Sequence, residues 1–103
     1  MKRRVTFSPQ ARDQAREVGR WWRENRPSAR LLFAAEVRQA LLLIAGAPGI
    51  GVLYPHPQIG GVRRLLLSGT RCHLYYVHEE STDAIEIVAV WGAIRGSGPI
   101  VRR

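Results

Sequence analysis

The first residues of the chain alternate between side chains that suit a protein interior and side chains that suit water. Arg3, Val5 and Phe7 fall on one side of an extended backbone, and residues 2, 4 and 6 fall on the other. An alternation of period two predicts a β-strand, and a strongly basic side is typical of the edge of a sheet. We therefore expect a short edge strand at residues 2–7.

Two amphipathic helices are predicted next. The first begins at Ser8 and Pro9, which suit the N-cap and the first helical position, and it ends near Asn25, before the break at Pro27. The second spans residues 28–45, with Gly46 as its C-terminal cap. The short break predicts an antiparallel helical hairpin. Apolar residues at helical spacing mark the two buried faces: Ala11, Ala15, Val18 and Trp22, then Phe33, Val37, Ala40 and Ile44.

The second half of the chain predicts three strands joined by short turns. A loop rich in glycine and proline covers residues 46–60, and strands follow at 62–67, 71–78 and 84–91. Turns this short require antiparallel neighbours. The order β-α-α-β-β-β predicts one α+β domain at residues 1–98, followed by a short basic C-terminal tail at 99–103.

The last strand is apolar on both of its faces. A strand covered on one face only would alternate apolar and polar residues. We therefore expect a second cover, either a loop or the tail of the chain or a partner protein. A regular alternation would place two sets of residues on opposite faces: Ile85, Ile87, Ala89 and Trp91 on one, and Val88 and Val90 on the other.

The charge balance points to anionic partners. Sixteen basic residues against eight acidic ones give a formal net charge of +8, and fifteen of the sixteen are arginine. Residues 1–45 hold most of the surplus, with ten basic and four acidic side chains. The planar arginine fork suits carboxylates and phosphates. Nucleic acid, a nucleoprotein and an acidic polypeptide are all compatible with this balance.

Several classes of protein are disfavoured. The longest apolar-rich run, residues 41–52, is interrupted by glycine and proline and is too short to cross a membrane. The basic N-terminus is not followed by the apolar stretch of a signal peptide. The single Cys72 forms no internal disulfide, and neither His56 nor His78 has a second ligand at metal-site spacing. We expect a cytoplasmic protein without metal or cofactor.

Taken in order along the chain, several short segments resemble the RelE/ParE superfamily of bacterial type II toxins, and the ParE branch in particular. The likeness covers about residues 3–98. The segments that carry it are Phe7-Ser8-Pro9-Gln10-Ala11, Trp21-Trp22, Asn25-Arg26-Pro27-Ser28-Ala29, Pro48-Gly49-Ile50-Gly51, Gly61-Val62-Arg63-Arg64, Thr70-Arg71-Cys72-His73-Leu74-Tyr75-Tyr76-Val77 and Trp91-Gly92-Ala93.

The resemblance implies the toxin of a toxin–antitoxin module, with a role in plasmid stabilization. Its partner would be a cognate antitoxin whose acidic, amphipathic tail folds on the toxin to form a hetero-oligomer. Operator DNA would be bound only through the antitoxin. ParE-like toxins act on DNA gyrase and block replication, whereas RelE-like toxins cut messenger RNA on the ribosome. A third alternative is a member that has lost toxicity and only binds its antitoxin.

The choice between gyrase and RNA depends on the end of the chain. RNA cleavage needs a base, an acid and cations at the phosphate. RelE-like nucleases resemble one another in placing a Tyr or His near the C-terminus, but no Tyr or His follows Trp91, and Lys2 is the only lysine. We therefore favour a gyrase inhibitor without chemistry of its own.

Three sets of residues are the candidates for function. The target-binding candidates are Arg63, Arg64, Arg71 and Arg95, with Arg102 and Arg103 of the tail as additions. The antitoxin-binding candidates are Arg12, Arg16, Arg20, Trp21, Leu42, Val88 and Val90. If the protein is instead a nuclease, Arg71, His73 and Tyr75 would share one face of a strand as catalytic residues; the alternative is that His73 and Tyr75 pack beside the helices.

Overall fold

One five-stranded sheet with two helices makes up the α+β fold. The computed structural model describes residues 3–92 and residue 101. The strands follow the sheet order β1-β5-β4-β3-β2; β1 runs parallel to β5 and the other neighbours are antiparallel. The elements are β1 (Val5–Phe7), α1 (Pro9–Asn25), α2 (Leu32–Gly46), β2 (Val52–Leu53), β3 (Arg63–Leu67), β4 (Cys72–Glu79) and β5 (Ala84–Gly92).

The first helix has the bounds that its capping residues predict. The Ser8 hydroxyl accepts a hydrogen bond from the Ala11 N–H at 3.1 Å, and Pro9 occupies the first turn. At the other end the Arg26 N–H closes the last turn on the Trp22 carbonyl at 3.0 Å. Both ends depend on local contacts, which explains why the sequence predicts them correctly.

The second helix begins later and ends one residue later than predicted. Pro27–Ala29 forms a separate 3₁₀ turn, so α2 starts at Leu32. Gly46 is the last helical residue and not the cap; the Ala47 N–H closes the final turn on the Leu43 carbonyl. Ala47 has a φ of −149°, so no left-handed residue is needed after this helix.

A strand that the sequence analysis missed forms one edge of the sheet. Within the predicted glycine- and proline-rich loop, Val52 pairs with Arg64 and Leu53 pairs with Arg63. A strand of two residues carries no alternation for a sequence pattern to detect. Its hydrogen bonds to β3 define it instead, and these depend on residues ten and twelve positions further along.

The core lies between the helices and one face of the sheet, which we call the helix face. Ala11 of α1 and Phe33, Ala40 and Ile44 of α2 are buried against strand residues such as Leu74. The opposite face, which we call the distal face, carries a second cluster of buried residues. No helix within residues 3–92 is long and apolar enough to span a membrane.

A β-bulge in β5 overturns the regular alternation expected for this strand. Tyr75 pairs with Ala89 and Tyr76 pairs with Ile87, which leaves Val88 as the extra residue. The extra residue reverses the phase of the strand, because each later side chain moves to the other face. Ile85, Ile87 and Val90 therefore pack on the helix face, whereas Val88, Ala89 and Trp91 pack on the distal face.

A buried tyrosine fixes the segment that leads into β2. The Tyr76 hydroxyl donates to the Pro48 carbonyl at 2.7 Å and accepts from the Gly51 N–H at 2.9 Å. A Cβ on Gly51 would lie 2.7 Å from the Tyr76 hydroxyl, so only glycine allows this approach. The hydroxyl thereby supplies hydrogen-bond partners for the Gly51 N–H and the Pro48 carbonyl, which lie just before β2 and outside its pairing with β3.

The turn between β3 and β4 contains a residue in a strained conformation. The Arg71 N–H donates to the Leu67 carbonyl at 2.8 Å, and Arg71 has a φ of +61°. Arg71 was expected within the strand, but β4 begins at Cys72. A left-handed arginine costs roughly 1–2 kcal/mol relative to the ordinary helical region, so the surrounding contacts must hold this turn.

An ionic cluster joins the start of the chain to the β4–β5 turn. Arg3 Nε and His78 Nε2 both lie against Asp83 Oδ1, at 2.8 and 2.7 Å, and Arg3 also donates to the Ala45 carbonyl at the end of α2. The hydrogen bonds from His78 and then Arg3 lower the pKa of Asp83 from its ordinary value. Asp83 therefore stays ionised and keeps β1 beside the turn.

We expect Tyr76→Phe to destabilise the protein by about 1–3 kcal/mol, because it leaves the Gly51 N–H and the Pro48 carbonyl buried without a partner. The measurement is urea unfolding followed by tryptophan fluorescence. Tyr75→Phe is the matched control: its hydroxyl accepts only a long 3.5 Å hydrogen bond from Arg64, so it should cost less than about 1 kcal/mol. Equal losses in the two variants would contradict this interpretation.

We expect Arg71→Gly to stabilise the fold by about 0.5–1 kcal/mol, which is the relief of the left-handed strain minus the entropy that glycine loses on folding. Urea unfolding again measures the change. Arg71→Ala removes the same charge but keeps a Cβ, so it should give no such gain. A glycine variant no more stable than the alanine variant would show that the turn is not strained.

Candidate functional site

The distal face of the sheet is covered by the chain itself. Val62, Tyr75 and Val88 are buried there, and Tyr54 and Ile59 of the β2–β3 loop pack over them together with Val101. The sequence analysis gave a loop, the tail of the chain or a partner protein as the possible cover of this face. In the structure, a loop and one residue of the tail cover it. The covering leaves a polar border where the ends of β3 and β4 meet, and the candidate site lies at this border.

Arg64 lies between two tyrosines at this border. Its guanidinium carbon is 5.3 Å from the centroid of the Tyr54 ring, and its Nη1 donates to the Tyr75 hydroxyl at 3.5 Å. The two tyrosine rings meet edge to face with centroids 4.9 Å apart. Arg64 and Tyr75 are direct cross-strand partners, which is why they share a face. The rings therefore hold the guanidinium in one orientation while part of it remains exposed.

His73 extends this group along β4. Its ring centroid is 5.9 Å from that of Tyr75, two residues further on the same face. Burial, followed by the positive charges of Arg64 and Arg71, lowers the pKa of His73 below its ordinary value. The imidazole is therefore neutral at physiological pH and can accept or donate one hydrogen bond. We call Arg64, Tyr54, Tyr75, His73 and Arg71 the arginine–aromatic cluster.

The structure corrects the geometry expected of the alternative catalytic residues. His73 and Tyr75 share a face as predicted, but Arg71 lies in the preceding turn and not on the strand. The two strand residues lie on the distal face, so the expectation that they pack beside the helices is wrong. Arg71 is exposed and acts on His73 through its charge. The cluster thus combines two arginines with a neutral imidazole and phenol groups.

Arg63 and Arg64 point to opposite faces, as the strand pattern predicts. The Arg63 side chain donates to the Gly51 carbonyl at 2.8 Å and to the Gly49 carbonyl at 3.4 Å. Arg63 therefore ties β3 to the start of β2 and is separated from the arginine–aromatic cluster. The remaining target-binding candidates, Arg95, Arg102 and Arg103, lie outside the described residues.

The arginines proposed for antitoxin binding lie on one exposed helix. Arg12, Arg16 and Arg20 of α1 are all exposed, and Arg16 approaches Asp13 at 4.0 Å. Trp21, on the same helix, is 46% exposed. It meets the Trp22 ring edge to face with centroids 5.7 Å apart, and the Arg26 guanidinium lies 5.1 Å from its centroid.

A cleft of about 700 Å³ runs beside these tryptophans. Its walls are the C-terminal half of α1 and the end of the sheet, and the residues that line it include Trp21, Trp22, Arg71 and Trp91. Leu42 of α2 is also exposed, at 53%, and so are Leu43 and, before the start of the helix, Leu31. The helices thus carry exposed apolar side chains near exposed arginines, which is a typical composition for a protein-binding surface.

Two of the antitoxin-binding candidates have no accessible surface. Val88 is 0% exposed and packs on the distal face, whereas Val90 is 1% exposed and packs on the helix face. The bulge separates them, so the single apolar surface that both were expected to share does not exist. Their burial within the chain explains the two-sided hydrophobicity of β5 without a partner.

Sequence reasoning missed two side chains that shape this site. Tyr54 belongs to the segment that the glycine and proline content predicts as a loop, and it follows directly on the two-residue strand β2. Glu36 was an unremarked acid on α2, but its carboxylate binds the turn that carries Arg71. Long-range contacts of this kind leave no periodic signal.

The cluster is suited to binding anions and flat groups. Guanidinium groups bind carboxylates and phosphates through charge-assisted hydrogen bonds, and the tyrosine rings offer surfaces for stacking. A neutral histidine beside arginines is also the kind of group that transfers protons in RNA cleavage. Within residues 3–92 and 101, no three His, Cys, Asp or Glu side chains lie close enough together to hold a metal ion.

Comparison with solved structures agrees with the architecture. A structure titled as the chromosomal ParDE system of P. aeruginosa is 13% identical, covers 88% of this chain and 96% of its own, and has a TM-score of 0.68. The isolated E. coli RelE toxin is 17% identical, covers 91% and 87%, and has a TM-score of 0.62. The intact E. coli RelBE complex is 16% identical, covers 90% and 99%, and has a TM-score of 0.61. At such identities the likeness concerns the fold.

Sequence comparison supplies the family. No curated protein sequence was found to match the chain. The family described as "ParE toxin of type II toxin-antitoxin system, parDE" matches residues 5–95. This range takes in every helix and strand of the described fold, including the arginine–aromatic cluster. The chain therefore belongs to the ParE toxin family of type II toxin–antitoxin systems.

Proposed function

We propose that this toxin inhibits DNA gyrase and thereby blocks replication, and that a cognate antitoxin neutralises it. The match to the ParE toxin family over residues 5–95 carries the proposal. The sequence supports the same choice: no Tyr or His follows Trp91, and lysine is almost absent. The protein acts on gyrase in the cytoplasm by binding and has no cofactor.

The arginine–aromatic cluster is the proposed contact with the target. Arg71 is exposed, and Arg64 is held by the tyrosine rings with its guanidinium partly open. Both can reach phosphates or carboxylates of a gyrase–DNA complex, and their fixed positions reduce the entropy lost on binding. Arg63 supports this surface from the other face of the sheet, and Arg95 belongs to the same proposal on sequence grounds.

The proposed antitoxin surface lies on the helices. Exposed Arg12, Arg16 and Arg20 match an acidic tail, while Trp21 and Leu42 supply apolar anchors for its amphipathic side. The complex is a hetero-oligomer that reaches operator DNA through the antitoxin alone. The structures titled ParDE and RelBE are themselves toxin–antitoxin systems, which supports a partner of this kind.

Ribosome-dependent mRNA cleavage is the second candidate function. The observation that favours it is the neutral His73 next to the Tyr75 ring and the charges of Arg64 and Arg71. These supply a proton acceptor, a phenol and two cations, which are the groups that RNA cleavage requires. His73→Ala and Tyr75→Phe would abolish toxicity if this candidate is correct.

We expect the purified toxin, freed of antitoxin, to stop supercoiling by gyrase and to trap cleaved DNA. Arg71→Ala and Arg64→Ala should each weaken the effect by about 10–100-fold, which corresponds to the loss of one charge-assisted hydrogen bond. Arg38→Ala, an exposed arginine of α2, is the matched control and should retain full potency.

The alternatives give different results in the same series. A folded toxin that leaves gyrase unaffected but cuts mRNA on ribosomes, with the cut lost in His73→Ala, would replace the gyrase proposal with nuclease activity. A folded toxin that does not slow growth when expressed alone would be an inert antitoxin-binding member.

We expect antitoxin binding to depend more on apolar burial than on charge. Trp21→Ala and Leu42→Ala should each weaken the complex by about tenfold or more, as is typical of interface anchors. Leu66→Ala, which truncates an exposed leucine of the sheet, is the control. Isothermal titration with the antitoxin tail at rising salt measures both effects. A dissociation constant that weakened by several decades between low and moderate salt would show instead that charge dominates.

A further inference from the structure

A single carboxylate on α2 binds the whole of the β3–β4 turn. Glu36 Oε2 accepts a hydrogen bond from the Gly69 N–H at 2.7 Å. Glu36 Oε1 accepts from the Thr70 N–H at 2.9 Å and from the Thr70 hydroxyl at 2.7 Å. Three hydrogen bonds to an ionised acceptor make a strong connection between elements more than thirty residues apart.

The turn lies so close to α2 that a side chain at Gly69 would displace the Glu36 carboxylate. A Cβ on Gly69 would lie 2.8 Å from Glu36 Oε2 and 3.2 Å from Leu32 Cδ2. The position of the turn is therefore set by the helix and by the carboxylate. A free hairpin turn has no such contact and would adjust its backbone to relieve strain.

The strain lies at the next residue. Arg71 follows Thr70 directly and holds a φ of +61°, where glycine or asparagine is the ordinary choice. Strained residues persist where their surroundings over-determine them, and they concentrate at functional sites. Here the strained residue is an exposed arginine that lines the cleft beside Trp21 and adjoins His73.

We propose that Glu36 is a positioning residue: its carboxylate fixes the β3–β4 turn against α2 so that Arg71 is presented to the toxin's target. This inference rests on the proposed role of Arg71 in target binding. It assigns to α2 a part in toxicity, although no candidate target-binding residue lies on that helix.

Glu36 is separate from the contacts that hold α2 in the fold. The helix is fixed by Phe33, Ala40 and Ile44, which are buried in the core. Glu36 is half-buried, and its hydrogen bonds within residues 3–92 go to the turn. Its removal should therefore change the position of Arg71 far more than the stability of the domain.

The experiment is a double-mutant cycle between Glu36 and Arg71, read as growth arrest without antitoxin and as gyrase inhibition by purified protein. Glu36→Ala should lower potency by about tenfold in the wild-type background, a loss equivalent to one hydrogen bond to a charged group. In the Arg71→Ala background it should lower potency no further, because there is no side chain left to position. Glu36→Gln, which keeps one acceptor oxygen, should have an intermediate effect.

Two further variants separate positioning from charge and from misfolding. Glu80→Ala removes the same charge from an exposed turn residue and should keep full potency. Gly69→Ala keeps the carboxylate, but its Cβ would displace Glu36 Oε2 from the turn amides, so this variant should reproduce the loss and the coupling to Arg71. Hydrogen exchange should quicken at the amides of Gly69 and Thr70 in Glu36→Ala and stay unchanged at Leu74 in the core.

The outcomes distinguish this inference from the proposed function. An equal loss from Glu36→Ala in both backgrounds, or no loss in the wild-type background, would overturn the positioning role. Full potency of Arg71→Ala itself would overturn it as well, because the residue to be positioned would have no role. Growth arrest with the expected coupling but no effect on gyrase would support the positioning role while refuting gyrase as the target.

Discussion

The burial of β5 on both of its faces is the constraint on which the rest of the fold depends. Four consecutive residues of this strand, 87–90, are at most 1% exposed. A strand of this kind needs a neighbour on each side and a cover above and below. The neighbours are β1 and β4, and the covers are the two helices on the helix face and the β2–β3 loop with Val101 on the distal face.

The bulge at Val88 connects this constraint to the candidate site. Without the extra residue, the alternation would send Ala89 and Trp91 to the helix face. The bulge instead places them on the distal face, beside Tyr75. There they belong to the same hydrophobic cluster as Tyr54 and Tyr75. The rings of these two tyrosines contact Arg64. The site is therefore a product of core packing, and its polar groups stand at the border of a hydrophobic cluster.

What the sequence predicts correctly is local, and what it misses is long-range. The limits of α1 follow from Ser8, Pro9 and the break before Pro27, all within a few residues of the ends they determine. The bulge, the strand β2 and the left-handed Arg71 depend on partners in other elements, which no periodicity records. The same division holds for the site. Strand alternation predicts that His73 and Tyr75 share a face and that Arg63 and Arg64 lie on opposite faces. The contacts of Tyr54 and Glu36 with the site are between distant parts of the chain, so no sequence pattern predicts them.

The parallel pairing of β1 with β5 determines when the sheet can be completed during folding. Val5 pairs with Ile85, so among the described strands β1 has its sheet neighbour eighty residues later in the chain. Such distant pairings form slowly, because the intervening chain must first be ordered. Until β5 emerges, the helical hairpin has no sheet to cover and its apolar side chains stay exposed. Each newly made chain therefore passes through a period in which the apolar faces of its helices are exposed to solvent before its sheet is complete.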